Sequence, residues 1–281
     1  PISIPYFEGF EEGNTDQQNV ADWLQQSERG DYSWVANISQ TSSNRTPYAG
    51  KWNATLYQAN TDWLFQYITL EQGKTYRFSM HARQTYSTAS YANITVQLGT
   101  FAHKDSMQTT IVPQTSVTNG NYQLITGTFS VETTGNYIIG IKGYISSSSY
   151  YLSIDNIGIS EDIMHTISTT NAELGTITVS NNSAVLGDTI ILSHTMTKGI
   201  FAGYATNTPV HWISDTSFVV LHDDVVVGFD TSCYHALPFF EGFENGNTDQ
   251  KKVADWAQQS ERGSSSWVAN ATQTDYNRTP Y

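Results

Sequence analysis

The stretch TDWLFQYITLEQGKTYRFSMHAR, residues 61–83, decides the fold. On either side of the Gly73-Lys74 turn signal, side chains alternate with a period of two. Trp63, Phe65 and Tyr67 fall on one face of the first half. In the second half Tyr76, Phe78, Met80 and Ala82 share a face, and Arg77, Ser79, His81 and Arg83 share the other. A helix would bring its apolar residues round every three or four positions; alternation over this length specifies two strands joined by a turn.

Working outward, the same pattern recurs. Trp34 and Ala36 precede a polar loop, and Trp52, Ala54 and Leu56 alternate with Lys51, Asn53 and Thr55. Further strands fit Ile94-Val96-Leu98, Ile125-Gly127-Phe129-Val131, Tyr137-Ile139-Ile141 and Leu152-Ile154. Six to eight strands with Gly, Asn and Ser between them describe an all-β, two-sheet sandwich. After Leu152 and Ile154 the apolar phase slips by one and resumes at Ile157 and Ile159, which places a bulge or bend at Asp155-Asn156. Val20, Trp23 and Leu24 have helical spacing behind a potential cap at Asp16, so one short helix is expected there, ended by Ser27–Gly30.

The chain also repeats itself. Residues 5–48 and 238–281 align without a gap at 44 positions, 33 of them identical, an offset of 233. Because the second copy stops where the chain stops, the 281 residues read as one period plus the opening of the next. Forty-four residues carrying Phe239, Phe240, Phe243, Trp256 and Trp267 are too few to bury that surface alone. The remnant is completed by more of the same polypeptide, by a neighbouring copy, or it frays.

Composition narrows the function classes. Thirteen Lys plus Arg against 26 Asp plus Glu give a formal net charge of −13, which repels nucleic acid and anionic membrane surfaces. No apolar run is long enough to span a bilayer. The chain opens on Pro1, so any export signal lies outside it. Cys233 is the only cysteine, which excludes an intrachain disulfide. Asn-X-Ser/Thr triplets begin at Asn37, Asn44, Asn53, Asn93, Asn181, Asn270 and Asn277.

The opening FEGFEEG (residues 7–13), the central residues 61–83 and the closing YYLSIDNIGIS (residues 150–160) resemble the jelly-roll modules called cleaved-adhesin or choice-of-anchor J domains. These are relatives of MAM and carbohydrate-binding modules. The resemblance covers residues 5–160; the Pro-Gly-Trp usual after the opening is replaced by NTDQQNVADW. Residues 163–235, with Gly187-Asp188 and the Asp223-Asp224-Val225-Val226-Val227 run, resemble the small β-rich repeats of the internalin B-repeat class, which act as spacers. The expected layout is a jelly roll over 5–160, a small β spacer over 163–235, and the first part of the next jelly roll over 238–281.

The resemblance implies a structural Ca²⁺ held by the opening glutamate, Glu8 or Glu11, and by Asp155; carboxylate oxygens suit that ion. The alternative is that these acids cap strands and bond backbone amides. A second candidate site comprises Tyr86, Tyr91, Tyr144, Tyr150 and Tyr151 in the runs TYSTASY and YISSSSYY, where flat rings match the apolar face of a sugar and Ser and Asn bond its hydroxyls. The same tyrosines equally suit covering a sheet or contacting a protein.

No G-x-S-x-G elbow, H-E-x-x-H or phosphate-binding glycine loop occurs, and the seven histidines show no metal-ligand spacing, so no catalysis is assigned. The expectation is a non-catalytic, extracellular tandem-repeat surface adhesin or fibre former whose partners are copies of itself and glycans. Repetition would turn weak contacts into avidity. The alternative is a carbohydrate-binding accessory module of a secreted polysaccharide-degrading enzyme.

Overall fold

The computed structural model describes residues 1–231, apart from 31–32, 59, 86–88, 119, 147–149, 171 and 222, and residue 268. The readings made on Tyr86, Cys233, Asn270, Asn277 and the 238–281 remnant therefore lie outside the described residues. The chain divides into two compact units: 1–166 with 181–191 and 209–224, and 167–180 with 192–208 and the residues from 225 on.

The first unit is built on eleven strands: β1 (Tyr6–Glu8), β2 (Leu24–Ser27), β3 (Val35–Ile38), β4 (Trp52–Tyr57), β5 (Thr61–Leu70), β6 (Thr75–Gln84), β7 (Ala92–Gly99), β8 (Met107–Val117), β9 (Gln123–Ser130), β10 (Gly135–Ile145) and β11 (Tyr151–Glu161). One sheet runs β3-β4-β11-β6-β9 with β1 added to β11, and the other runs β2-β5-β10-β7-β8. The pairings β4 with β11, β5 with β10, β6 with β9 and β7 with β8 are all antiparallel. The second half of the sandwich thus folds back along the first as one long hairpin, rolled so that alternate strands fall in opposite sheets. That is a jelly roll, as the alternation predicts.

One face of each sheet points inward. Tyr76, Phe78, Met80 and Ala82 of β6, Leu64, Ile68 and Leu70 of β5, and Ile154, Ile157 and Ile159 of β11 meet in a single buried cluster. Trp63 and Phe65 point the other way, into a smaller cluster with Met107 and Ile138. The expected bulge is present: Asp155 pairs with His81 but Gly158 pairs with Ser79, and Asn156 takes a positive φ of 50°. The extra residue is what carries the core side chains from even to odd positions.

The expected helix is absent. Residues 16–23 are turns with positive φ at Gln17 and Asp22, and Leu24–Ser27 is β2 against β5. Val20 and Trp23 are buried while Leu24 is half exposed, because an extended chain turns residue 24 outward. Asp16 caps no helix; its carboxylate accepts from the Ile38 amide. Gln25 takes up the freed groups, accepting from the Val20 amide and donating to Ser33 and the Trp34 carbonyl.

Segments 181–191 and 209–224 also belong to this unit. Here Ser183–Ala184 pairs with His165–Thr166, and Ser217–Val219 pairs with residues 189–191 and with His211–Ser214. In the second unit residues 175–179 pair with 192–196, and Val225–Phe229 lies between residues 167–169 and Tyr204–Thr206. His194, Phe201, Tyr204 and Phe229 form its aromatic cluster, with His194 Nδ1 2.8 Å from the Tyr204 hydroxyl.

Candidate functional site

The three carboxylates read as metal ligands are each surrounded by hydrogen-bond donors. Glu8 accepts from the Phe10 amide at 2.6 Å, the Tyr6 hydroxyl at 3.0 Å and Trp23 Nε1 at 3.4 Å. Glu11 Oε1 accepts from the amides of Lys51 and Trp52 at 2.9 and 3.0 Å. Asp155, fully buried at the bulge, accepts from the amides of Tyr48, Ala49 and Asn156 at 2.8, 3.2 and 2.7 Å. Glu11 and Asp155 thus grip the 48–52 turn from two sides. Gly50 at its apex has a φ of +66°, and a Cβ there would come within 2.5 Å of the Glu11 carboxyl carbon. Burial pushes Asp155 well above the usual carboxylate range, and the three amides oppose that shift. Among the described residues no three His, Cys, Asp or Glu side chains gather as a metal site.

The polar face of the β4-β11-β6 sheet, which alternation alone would leave in water, is covered. Ser79, His81 and Arg83 of β6, Asn53 and Thr55 of β4 and Asn37 of β3 are all buried. The loop over residues 42–49 lies on Arg83, His81, Asn53 and Asn37, and the Leu186-Gly187 turn lies on Ser79. Arg83 donates to the Thr46 carbonyl and, at 2.6 Å, to its hydroxyl; Asn37 and Asn53 bond each other at 2.9 Å and both donate to the Arg45 carbonyl. The Tyr48 ring stacks on His81 at 3.7 Å. Each bond satisfies a group that burial would otherwise leave costly. This layer packs over the sheet's polar face and leaves a cavity beside Tyr48, His81 and Tyr122. It also buries the side chains of Asn37 and Asn53, two of the glycosylation triplets, while Asn181 stays exposed.

The tyrosines fare differently from one another. Tyr151 pairs with Tyr57 across β11 and β4, their rings stacked at 4.7 Å, and the Arg45 guanidinium lies 4.3 Å from the Tyr151 ring centre. Next to it the rings of Tyr150 and Tyr91 meet at 4.6 Å. The loops carrying them are tied together by Gln84, which accepts from the Tyr91 amide and donates to the carbonyls of Ala89 and Thr118. Thr85 bonds the Tyr151 backbone in both directions. All four rings are half-buried; Tyr91 and Tyr150 pack against the core, and Tyr57 and Tyr151 alternate to the outer face of the sheet. Tyr144 is not among them: it follows Lys142 on the outward side of β10, between Thr61 and Asn93. Tyr57 and Arg45 were missed. Their signal lay in register, which sets residue 57 opposite residue 151 and is invisible until the strands are paired.

Two buried titratable groups complete the electrostatics. Asp62 is pushed up to about 7, mainly by burial, against the help of Ser33 and the Trp63 amide. His81 is pushed down to about 4, mainly by burial and then by the nearby His211, itself lowered by burial.

No family model matches the chain, and no curated protein sequence matches it. Among solved structures it is similar to the K2 cleaved adhesin domain of Lys-gingipain, at 16% identity over 56% of this chain and 98% of that one, with a TM-score of 0.43. It is also similar to TmCBM61 in complex with β-1,4-galactotriose, at 14% identity over 55% and 95%, TM-score 0.40. A third is the CBM22-1 xylan-binding domain from Paenibacillus barcinonensis, at 13% identity over 56% and 92%, TM-score 0.37. At these values the jelly roll of this chain stands on its own strand pairings, described above.

Proposed function

We propose that this chain is a non-catalytic attachment module, one repeating unit of an extracellular surface adhesin, and that it holds glycans at the tyrosine end of its jelly roll. The observation that carries the reading is two half-buried ring pairs at one end of β4 and β11, beside serine-rich sequence: Tyr57 with Tyr151 on the outer face, with Arg45 against Tyr151, and Tyr91 with Tyr150 packed on the core. A ring whose back is packed and whose front is wet loses little freedom on binding and offers a flat apolar surface to a pyranose. Single contacts of this kind are weak, and repetition at a 233-residue spacing supplies avidity.

The test is a glycan array probed with the full chain and with Tyr151→Ala and Tyr150→Ala. Retention of one glycan class by the wild type, lost in both variants while their melting temperature holds, is the expected result. An array with no signal above background for the wild type would refute glycan holding.

A further inference from the structure

On the polar face of β6 and β9, a cavity of about 430 Å³ is lined by the rings of Tyr48, His81 and Tyr122 and by residues of the 181–189 segment. The rings are fixed in place. Tyr48 stacks on His81 at 3.7 Å and meets the Tyr122 ring at 5.4 Å, with 76° between their planes. The Tyr122 hydroxyl donates to the Thr46 carbonyl and accepts from Asn53, and the Tyr48 hydroxyl lies 3.1 Å from that of Thr189. With those hydroxyls engaged by the protein, what the two tyrosines have left for an occupant is apolar ring surface.

Polar groups line the same cavity. His81 is only 4% exposed, yet its Nδ1 has no hydrogen-bond partner among the described residues, a costly state for a buried nitrogen. Burial keeps this imidazole neutral at neutral pH, so it carries one donor and one acceptor. Asp188 brings a carboxylate that accepts from the Val185 amide at 3.1 Å, and its turn is pinned by the Gly187 amide on the Val220 carbonyl and the Val220 amide on the Asp188 carbonyl. Asn181 adds an exposed amide, and Leu124, 40% exposed, adds an apolar edge.

We propose that this cavity is a second saccharide site, which takes an uncharged sugar residue at the end of a glycan. A volume at the low end of ligand pockets suits the end of a chain and not its length. Its lining selects by charge. An acidic sugar meets the Asp188 carboxylate on a chain of net charge −13, and a cation meets the Arg83 guanidinium, 4.5 Å from the Tyr122 ring centre. A neutral sugar offers both donors and acceptors to imidazole, carboxylate and amide, and C–H faces to the rings. None of Tyr57, Tyr91, Tyr150 and Tyr151 lines this cavity, so the site goes beyond the tyrosine end and either can fail alone.

Imidazole NMR spectra of the nitrogen-labelled full chain test it, with the His81 signals identified by their loss in His81→Gln. The probes are the methyl glycosides of galactose, glucose, mannose and xylose, with methyl glucuronide as the acidic control. The expected result is a saturable shift of the His81 signals with at least one neutral glycoside and none with the glucuronide. Leu124→Arg, which puts a long side chain across the exposed edge, should abolish the shift. Asp188→Asn keeps an oxygen for the Val185 amide but loses the charge, and should weaken binding about tenfold. Tyr150→Ala, at the other end, should leave the response intact, and melting temperatures check that each variant is folded. No saturable His81 shift with any neutral glycoside would overturn the proposal, as would a glucuronide that binds equally well or a shift that survives Leu124→Arg. A shift lost in Tyr150→Ala would place the sugar at the tyrosine end and overturn it too.

Discussion

Gly143 and Trp34 offer a sharp test of how the sandwich is packed. Trp34 is fully buried and its indole lies over β10 at Gly143. A Cβ added there would come within 3.0 Å of Trp34 Cη2 and 3.1 Å of Leu56 Cδ2, and closer still to Trp34 Cζ2. Neither ring nor backbone can yield easily, since the indole is also held by its bond to the Asp62 carbonyl. Gly143→Ala should therefore cost about 1–3 kcal/mol through overpacking. Trp34→Ala should cost about 3–5 kcal/mol through lost burial and the cavity left behind, about 10 °C in melting temperature for a unit of this size. The two should not add. With the indole gone the new methyl meets no obstacle and fills part of the void, so the double variant should be no less stable than Trp34→Ala alone. A double-mutant cycle by thermal and urea denaturation measures this coupling. Additive losses would show that the glycine is not the seat of the tryptophan and would refute the packing argument.

Acid sensitivity should respond in opposite directions to two substitutions. Asp62, raised to about 7, contributes stability that is full below its unfolded value near 3.8 and lost as pH rises through 7. His81, lowered to about 4, contributes stability that is full above 6.5 and lost as pH falls toward 4. Between pH 7 and 4 Asp62→Asn should steepen the fall in melting temperature and His81→Gln should flatten it; parallel profiles would contradict both assignments. Because amide donors occupy Glu11 and Asp155, calcium and chelator should leave the melting temperature unchanged, and a rise with calcium would show that the resemblance had the better claim. Gly50→Ala forces a side chain into a φ of +66° and onto the Glu11 carboxyl, and should lower stability by about 1–3 kcal/mol in urea titrations; a neutral effect would remove the 48–52 turn from the account.

Much of the sandwich was legible because burial on one face writes a period of two into the sequence. The bulge at Asp155-Asn156 was legible for the same reason, as a slip in that period. β8 was not: three register shifts break its alternation, and Pro113 sits within it, as an edge strand permits. β2 was misread because Val20, Trp23 and Leu24 satisfy helical spacing by position, while positive φ at Gln17 and Asp22, which spacing does not reveal, breaks any helix there. The polar layer under residues 42–49 left no local mark, since a buried serine or arginine and an exposed one read alike. Tyr91, Tyr150 and Tyr151 were identifiable as ring-rich loops, but which rings meet depends on register, which sets Tyr57 opposite Tyr151 and leaves Tyr144 between Thr61 and Asn93.

Titration calorimetry of the full chain with the glycan class selected on the array tests the central claim most directly. Comparison of Tyr57→Ala, Tyr91→Ala and Tyr144→Ala separates the tyrosine end from the outer face of β10. The account predicts binding weakened tenfold or more by the first two and unchanged by the third. Full affinity in Tyr57→Ala and Tyr91→Ala, or its loss in Tyr144→Ala, would contradict it.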